Sequence, residues 1–207
     1  MNEDLQKILS AVRELYLKYG IKSITMDDVA RELCISKKTL YQFVTDKDDL
    51  VGKFVDNEIS IRKKNIDTCF KPGCNAIEDL FEISLFMNKL MMDHSPATEY
   101  DLRKYYPHHY IKIVTSREEG IFNYILLNLK KGKMEGFYRD EINEDIIAKL
   151  YLSRFENTRF NDLFTVEDYA SLKLFMELLT YHIRGIATKK GIAVFEKKLN
   201  ELEKNNK

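Results

Sequence analysis

Thr25-Met-Asp-Asp-Val-Ala30-Arg-Glu-Leu-Cys-Ile35-Ser-Lys-Lys-Thr-Leu40-Tyr-Gln-Phe43 decides the fold, because it writes two short helices on either side of one tight turn. Thr25 stands where a first helix needs a cap, and Asp28 follows three residues on in the arrangement of a capping box. Met26, Val29, Ala30 and Leu33 then recur at helical spacing and predict a core-facing stripe. Ser36 is the next capping residue. Behind it, Lys37 to Phe43 predicts a helix that buries Leu40 and Phe43 and turns Lys38, Tyr41 and Gln42 outward. Two short helices joined this closely have helix-turn-helix spacing.

Working outward, Leu5, Ile8, Leu9, Val12, Leu15, Tyr16 and Tyr19 form the stripe of a preceding helix, which ends where Gly20 offers a left-handed cap. On the other side Thr45 and Asp46 can cap a longer helix carrying Leu50, Phe54 and Ile61. It runs to about Cys69, before Pro72-Gly73 breaks it. Helical patterns continue from Asn75 to Asp93, where Ser95-Pro96 closes the segment. They resume from Pro107 to about Lys131, from Asn143 to Asn157, and from Val166 to Lys190. The last of these is apolar on two faces, one with Leu172 and Phe175, the other with Leu174, Leu178 and Tyr181. A helix so covered is either central or shared with a partner. The tail Lys197 to Lys207 reads as a fraying, solvated helix end.

Three prolines, eight glycines and scarcely any period-2 alternation make the chain all-α. The reading is a three-helix helix-turn-helix domain over residues 1–62, followed by a larger helical domain over 63–207. No apolar run approaches the roughly 20 residues of a membrane span, and the polar start is unlike a secretory signal, so the expected place is the cytoplasm, with no membrane partner. Cys34, Cys69 and Cys74 match no zinc or redox framework and read as reduced thiols. The 33 basic and 33 acidic residues cancel, so nucleic-acid binding must rest on local placement rather than on net charge. Dinucleotide, phosphate-loop, nucleophile-elbow and metalloprotease motifs are absent from the sequence. No enzyme and no cofactor is expected.

The stretch Gly20 to Leu50 resembles the DNA-binding domain of the tetracycline-repressor (TetR) family. The resemblance lies in a Gly before the second helix, Thr25 then Val29-Ala30 within it, Ser36-Lys-Lys-Thr-Leu-Tyr41 in the third, and Lys47 near Leu50 at the start of the fourth. Two positions depart from the family pattern: Cys34 stands where many relatives carry a turn glycine, and Phe43 where many carry a His or Tyr that reaches a phosphate. Beyond this first quarter, only Asp101-Leu-Arg-Lys-Tyr-Tyr-Pro107 and Glu135-Gly-Phe-Tyr-Arg139 look like segments of some members. The resemblance implies a homodimeric transcription regulator, most often a repressor. It would bind double-stranded, pseudo-palindromic operator DNA and be released by a small-molecule effector.

Carried onto this chain, the third helix is the recognition helix. Ser36, Lys37, Lys38 and Thr39 at its front would reach base edges and phosphates. Tyr41 either donates to phosphate or packs half-buried, and Gln42 either reads adenine or faces solvent. Lys47 would set a cation beside a helix N-terminus against the DNA backbone, and Thr25 either reaches phosphate or only caps. Phe86, Met87, Met91, Tyr105, Phe122 and Tyr124 are candidates for an effector pocket, although such residues are core in any helical protein. Leu172, Phe175, Met176, Leu179, Ile183 and Ile186 are the expected dimer contact. His94, His108, His109 and His182 are scattered, and neighbouring His108 and His109 should leave a helix in different directions. No metal site is expected. The rival reading is a helical adaptor that uses its first helices to bind protein. Salt separates the two, because DNA binding weakens steeply as salt rises.

Overall fold

In the computed structural model, residues 3–69, 73–92, 95–157 and 171–205 are described. The first helix, α1 (Glu3–Tyr19), buries Ile8, Leu9, Val12 and Tyr16, one face of a 3.6-residue repeat. Gly20 ends it with φ of +79°, and its N–H donates to the Tyr16 carbonyl at 2.9 Å. A side chain at this left-handed position would be strained, and its Cβ would also stand 2.9 Å from Asp101 Oδ2. The chain continues through α2 (Met26–Glu32), α3 (Lys37–Leu40), α4 (Lys47–Cys69), α5 (Ala76–Met92), α6 (Pro96–Tyr105), α7 (Pro107–Met134), α8 (Glu144–Asn157), α9 (Leu172–Ile186) and α10 (Lys189–Asn205). Among the described residues there is no strand, and a single β-bridge joins Tyr138 to Ala187. The fold is all-α.

Two compact units divide the chain: Met1–Lys64 with His94–Arg117, and Asn65–Asp93 with Glu118–Lys207. Both α4 and α7 begin in the first unit and end in the second. In the first unit Val12, Tyr16, Val29, Leu40, Leu50, Val51 and Phe54 make the core, with the Tyr16 and Phe54 rings edge to face at 5.2 Å. Burial pushes the Tyr16 phenol pKa well up.

Helix α6 differs from the sequence expectation. Ser95-Pro96 does not close a segment; it opens one, with the Ser95 hydroxyl accepting from Thr98 N and Pro96 in the first turn. Proline is tolerated there because its missing N–H would have had no helical partner. The short helix packs on α1. Its Thr98 hydroxyl donates to the Tyr16 carbonyl at 2.5 Å, and Asp101 Oδ2 accepts from Lys22 N at 2.7 Å. The two bonds hold the turn from which α2 departs.

The second unit is built on α5, against which α9 and α10 pack, with Phe81 and Phe195 at 6.2 Å. Its last helices also differ from expectation. Instead of running to Lys190, α9 stops at Ile186: Ala187 turns extended (ψ 151°), Arg139 N donates to the Ile186 carbonyl and Thr188 N to the Phe137 carbonyl. Backbone pairing with the 137–139 segment competes successfully with another helical turn. Thr188 then caps α10 through Gly191 N. Leu199 and Leu202 of α10 pack on the core, so the expected solvated end is a docked helix through Asn205. Residues 166–170 of the expected helix and 206–207 of the tail lie outside the described residues.

One face of α7 satisfies the backbone at the start of α5. Tyr124 Oη donates to the Asp79 carbonyl at 2.8 Å, Asn128 Nδ2 to the Ala76 carbonyl at 2.8 Å, and Glu135 Oε2 accepts from Ala76 N at 2.7 Å. Tyr138, over Gly132 where a Cβ would lie 2.1 Å from its ring, donates to Asn128 Oδ1 at 2.8 Å. Lys131 Nζ reaches Asp79 Oδ2 at 2.6 Å and the Cys74 carbonyl at 2.7 Å. Burial opposes the Lys131 charge, but the hydrogen bond and charge of Asp79 outweigh it, so its pKa stands above the ordinary lysine value. Because the Asp79 side chain is 2% exposed, removing the cation leaves a buried carboxylate without its counter-charge. Lys131→Met should therefore cost about 2 to 3 kcal/mol in urea unfolding at pH 7. Lys149→Met, which breaks an exposed pair with Asp145, should cost under about 0.5 kcal/mol.

Candidate nucleic-acid interface

The second helix begins with the capping box that the sequence predicts. Asp28 N donates to Thr25 Oγ1 at 3.2 Å and Thr25 N to Asp28 Oδ2 at 2.9 Å. The Thr25 hydroxyl gives its proton to Asp28 Oδ2 at 2.7 Å, and Arg31 Nη2 lies 2.9 Å from Oδ1. The hydroxyl bond first, and the backbone bond next, hold the Asp28 carboxyl below its ordinary pKa. Thr25 is exposed, with its proton already committed to the cap.

At the far end α2 closes in a Schellman motif: Ile35 N donates to the Ala30 carbonyl at 3.0 Å and Cys34 N to the Arg31 carbonyl at 3.1 Å. Cys34 carries φ of +53°, the left-handed conformation that favours glycine. The turn thus delivers Ser36 to the front of α3, where its hydroxyl accepts from Thr39 N at 3.0 Å. Leu40 is fully buried, and Phe43 packs half-buried against the core. The helix proper covers Lys37–Leu40 rather than reaching Phe43, because Gln42 N and Phe43 N bond three residues back, to the Thr39 and Leu40 carbonyls.

Lys37, Lys38, Tyr41 and Gln42 are exposed on the outer side of this unit, and Tyr41 keeps 42% of its surface in solvent. Lys37 Nζ lies 3.1 Å from Asp27. Thr39 is half-buried, its hydroxyl 2.7 Å from that of Ser36. Lys47 is half-buried as well and donates to the Lys22 carbonyl at 3.4 Å. Burial, and then the Lys22 charge, lower its pKa from the ordinary lysine value. Asp46 caps α4 by accepting from Asp49 N at 2.8 Å, while Asp49 accepts from Thr45 N at 2.8 Å and pairs with Lys53. Sequence reasoning missed Lys22. It stands at the turn that Asp101 anchors, with its ammonium 4.7 Å from the Tyr105 ring centroid. The unsuspected α6 gives that position Asp101 and Tyr105 as partners, beside Lys47 of α4.

The other candidate sets are distributed differently. Met87 and Tyr124 are buried in the second unit's core, and Phe86 and Phe122 pack half-buried against it. Tyr105 belongs to the first unit, 40% exposed beneath Lys22 and Lys104. The Met91 side chain lies outside the described residues. On α9, Leu179, Ile183 and Ile186 are buried within their own unit, Phe175 and Met176 pack half-buried beside them, and Leu172 is 43% exposed. The outward stripe is the second one, with Leu174, Leu178 and Tyr181, the last 81% exposed.

Residues 8–53 match the family model of bacterial regulatory proteins of the tetR family. The helix-turn-helix of this chain is thus of the tetR-family type. The match spans α1 to the first turns of α4. The HTH-type transcriptional regulator YhgD of Bacillus subtilis is 23% identical over 167 residues, covering 74% of this chain and 83% of that one. A transcriptional regulator from Cytophaga hutchinsonii is alike in fold over 90% of this chain and 100% of its own, with a TM-score of 0.70 at 18% identity. The fatty acid degradation regulator FadR from Bacillus halodurans is alike over 86% and 95%, with a TM-score of 0.63 at 14% identity. Within this TetR-family domain, Cys34 holds a left-handed turn conformation that costs an L residue about 1 kcal/mol. Cys34→Gly should recover most of that, raising the unfolding midpoint in thermal melts while leaving the helical circular-dichroism signal unchanged.

Proposed function

We propose that the chain is a repressor that binds a pseudo-palindromic operator as a homodimer in the cytoplasm and is released by a small, largely apolar effector. The observation that carries this reading is the capped α2–turn–α3 unit with Lys37, Lys38, Tyr41 and Gln42 exposed at its front, within the stretch that matches the family. In the proposed complex α3 enters the major groove. Lys38 and Gln42 reach base edges, Tyr41 and Lys37 reach phosphate, and the α4 terminus with Lys47 approaches the backbone. Ser36, Thr39 and Thr25 serve first as helix caps, so their contacts to DNA come from backbone N–H groups and shared hydroxyls.

Fluorescence anisotropy with a labelled fragment from upstream of the regulated gene tests this. Lys38→Ala and Tyr41→Phe should each weaken binding by about 1 to 3 kcal/mol without changing the melting temperature, and affinity should fall steeply between about 50 and 200 mM salt. Unchanged binding in both variants, or binding insensitive to salt, sinks the operator reading and favours the protein adaptor.

One α3 reads too few bases for a specific site, so two copies related by a two-fold axis are required. We place the contact on the outward stripe of α9, Leu174, Leu178 and Tyr181, beside Ile146 and Leu150 of α8, which are 54% and 57% exposed. The helices are neighbours, with the Tyr151 and His182 rings 4.8 Å apart. Gly185, exposed with open space around its Cβ position, lets a partner helix approach closely. Tyr181→Asp combined with Leu150→Asp should give folded monomers in light scattering that no longer hold operator, whereas Leu179→Asp should unfold the second unit. A dimer that survives the first pair removes this interface. The effector is placed among Phe86, Met87 and Phe122 of α5 and α7, where soft and aromatic side chains suit an apolar molecule. Reciprocity then requires operator DNA to weaken effector binding by the factor with which effector weakens operator binding.

A further inference from the structure

His108 and His109 are consecutive in the first turn of α7, where side chains ordinarily diverge by about 100°. Here they converge. Both Nε2 atoms lie 3.5 Å from Asp48 Oδ2, the two rings sit side by side with centroids 3.9 Å apart, and one ligand atom from each of the three residues falls within 4.8 Å of the others. His109 is held in place: its side chain is 13% exposed, it rests against Gly52, and its Nε2 is 3.1 Å from the Asp48 carbonyl. His108 and Asp48 are 62% and 55% exposed, which leaves the cluster open to solvent on one side.

We propose that Asp48, His108 and His109 bind a divalent cation of the zinc class, and that the bound ion modulates operator binding. The donor set is two imidazoles and one carboxylate, which suits zinc and its transition-metal neighbours rather than magnesium or calcium. Spacing narrows the geometry. Ligands about 2.0 to 2.1 Å from a tetrahedral ion stand about 3.4 Å from one another, whereas ligands at right angles around an octahedral ion stand about 2.9 Å apart. The observed 3.5 Å agrees with the former. Water would complete the coordination on the exposed side. Such an ion would replace a weak His109 contact with bonds that tie the first turn of α4 to the first turn of α7, both within the first unit. Asp48 directly follows Lys47 and precedes Asp49, which is part of the α4 cap, so the ion acts at the helix terminus proposed to face the DNA backbone. This coupling rests on the operator-binding reading; the cation site itself does not.

The test is titration of the full-length protein with Zn²⁺ by calorimetry and with Co²⁺ by visible absorption, beside His108→Ala and Asp48→Asn. Both substituted side chains are largely exposed, and circular dichroism checks that the variants fold. The expected result is one equivalent per chain that both variants lose or bind at least about tenfold more weakly, a loss found even for outer-shell partners of metal ligands, with the intense visible bands of tetrahedral Co²⁺ in the wild type alone. Equal stoichiometry and affinity in wild type and variants overturns the site. Anisotropy with and without Zn²⁺ then reads the coupling: a change in operator affinity in the wild type that is absent in His108→Ala supports it. Metal binding with unchanged operator affinity overturns the regulatory half alone, and failure to bind operator under any condition rejects the DNA reading while the metal titration still decides the site.

Discussion

A helix of four residues does not persist by itself in water, since nucleating one costs more than so few hydrogen bonds return. The four-residue helix Lys37–Leu40 therefore exists only because its surroundings impose it. Leu40 is buried without residual exposure, Ser36 takes up an otherwise unpaired N–H, and the left-handed Cys34 aims the chain so that both occur together. The stability of α3 is borrowed from α1, α2 and α4, whose apolar residues enclose Leu40. A helix held this way leaves Lys38, Tyr41 and Gln42 exposed on its outer side, while Lys37 pairs with Asp27.

The same economy explains how a chain with no net charge can leave cations exposed around its helix-turn-helix. The carboxylates around the helix-turn-helix are engaged close to home: Asp28 with Thr25 and Arg31, Asp49 with Thr45 N and Lys53, Asp101 with Lys22 N, Asp27 with Lys37. Their negative charge is spent on helix N-termini and turns, where the aligned peptide dipoles favour it. Lys38 is exposed beside them, and Lys22 faces an aromatic ring instead of an acid. Net charge is thus a poor guide to this surface. Asp28 and Asp49 stabilise helix ends, Asp101 holds a turn, and Asp27 pairs with Lys37.

Local patterns were legible wherever a helix carries its own signals. Thr25 with Asp28, Ser36 before Leu40, and Gly20 after Tyr19 each mark a boundary through chemistry within a few residues, and the structure places the caps as those residues imply. What escaped depends on distant partners. Ser95-Pro96 reads equally as an end or a beginning until Thr98 and Asp101 find α1 and the Lys22 turn. The break at Ala187 has no proline to announce it, because it is made by backbone pairing with Phe137 and Arg139 some fifty positions earlier. Which stripe of α9 faces inward was ambiguous for a related reason: both stripes are apolar, and only the core of α5 and α10 selects the one with Leu179 and Ile183.

Continuity of α4 and α7 then bears on how a signal could travel. Each is one continuous helix whose first residues belong to the first unit and whose last belong to the second. Within the first unit, the starts of these two rods meet at Asp48 and the paired histidines. Within the second, Tyr124, Asn128 and Lys131 of α7, with Glu135 just beyond it, bond to the start of α5, so sliding one helix along the other would break several hydrogen bonds at once. Within the second unit the placement of α5 and that of α7 therefore depend on each other.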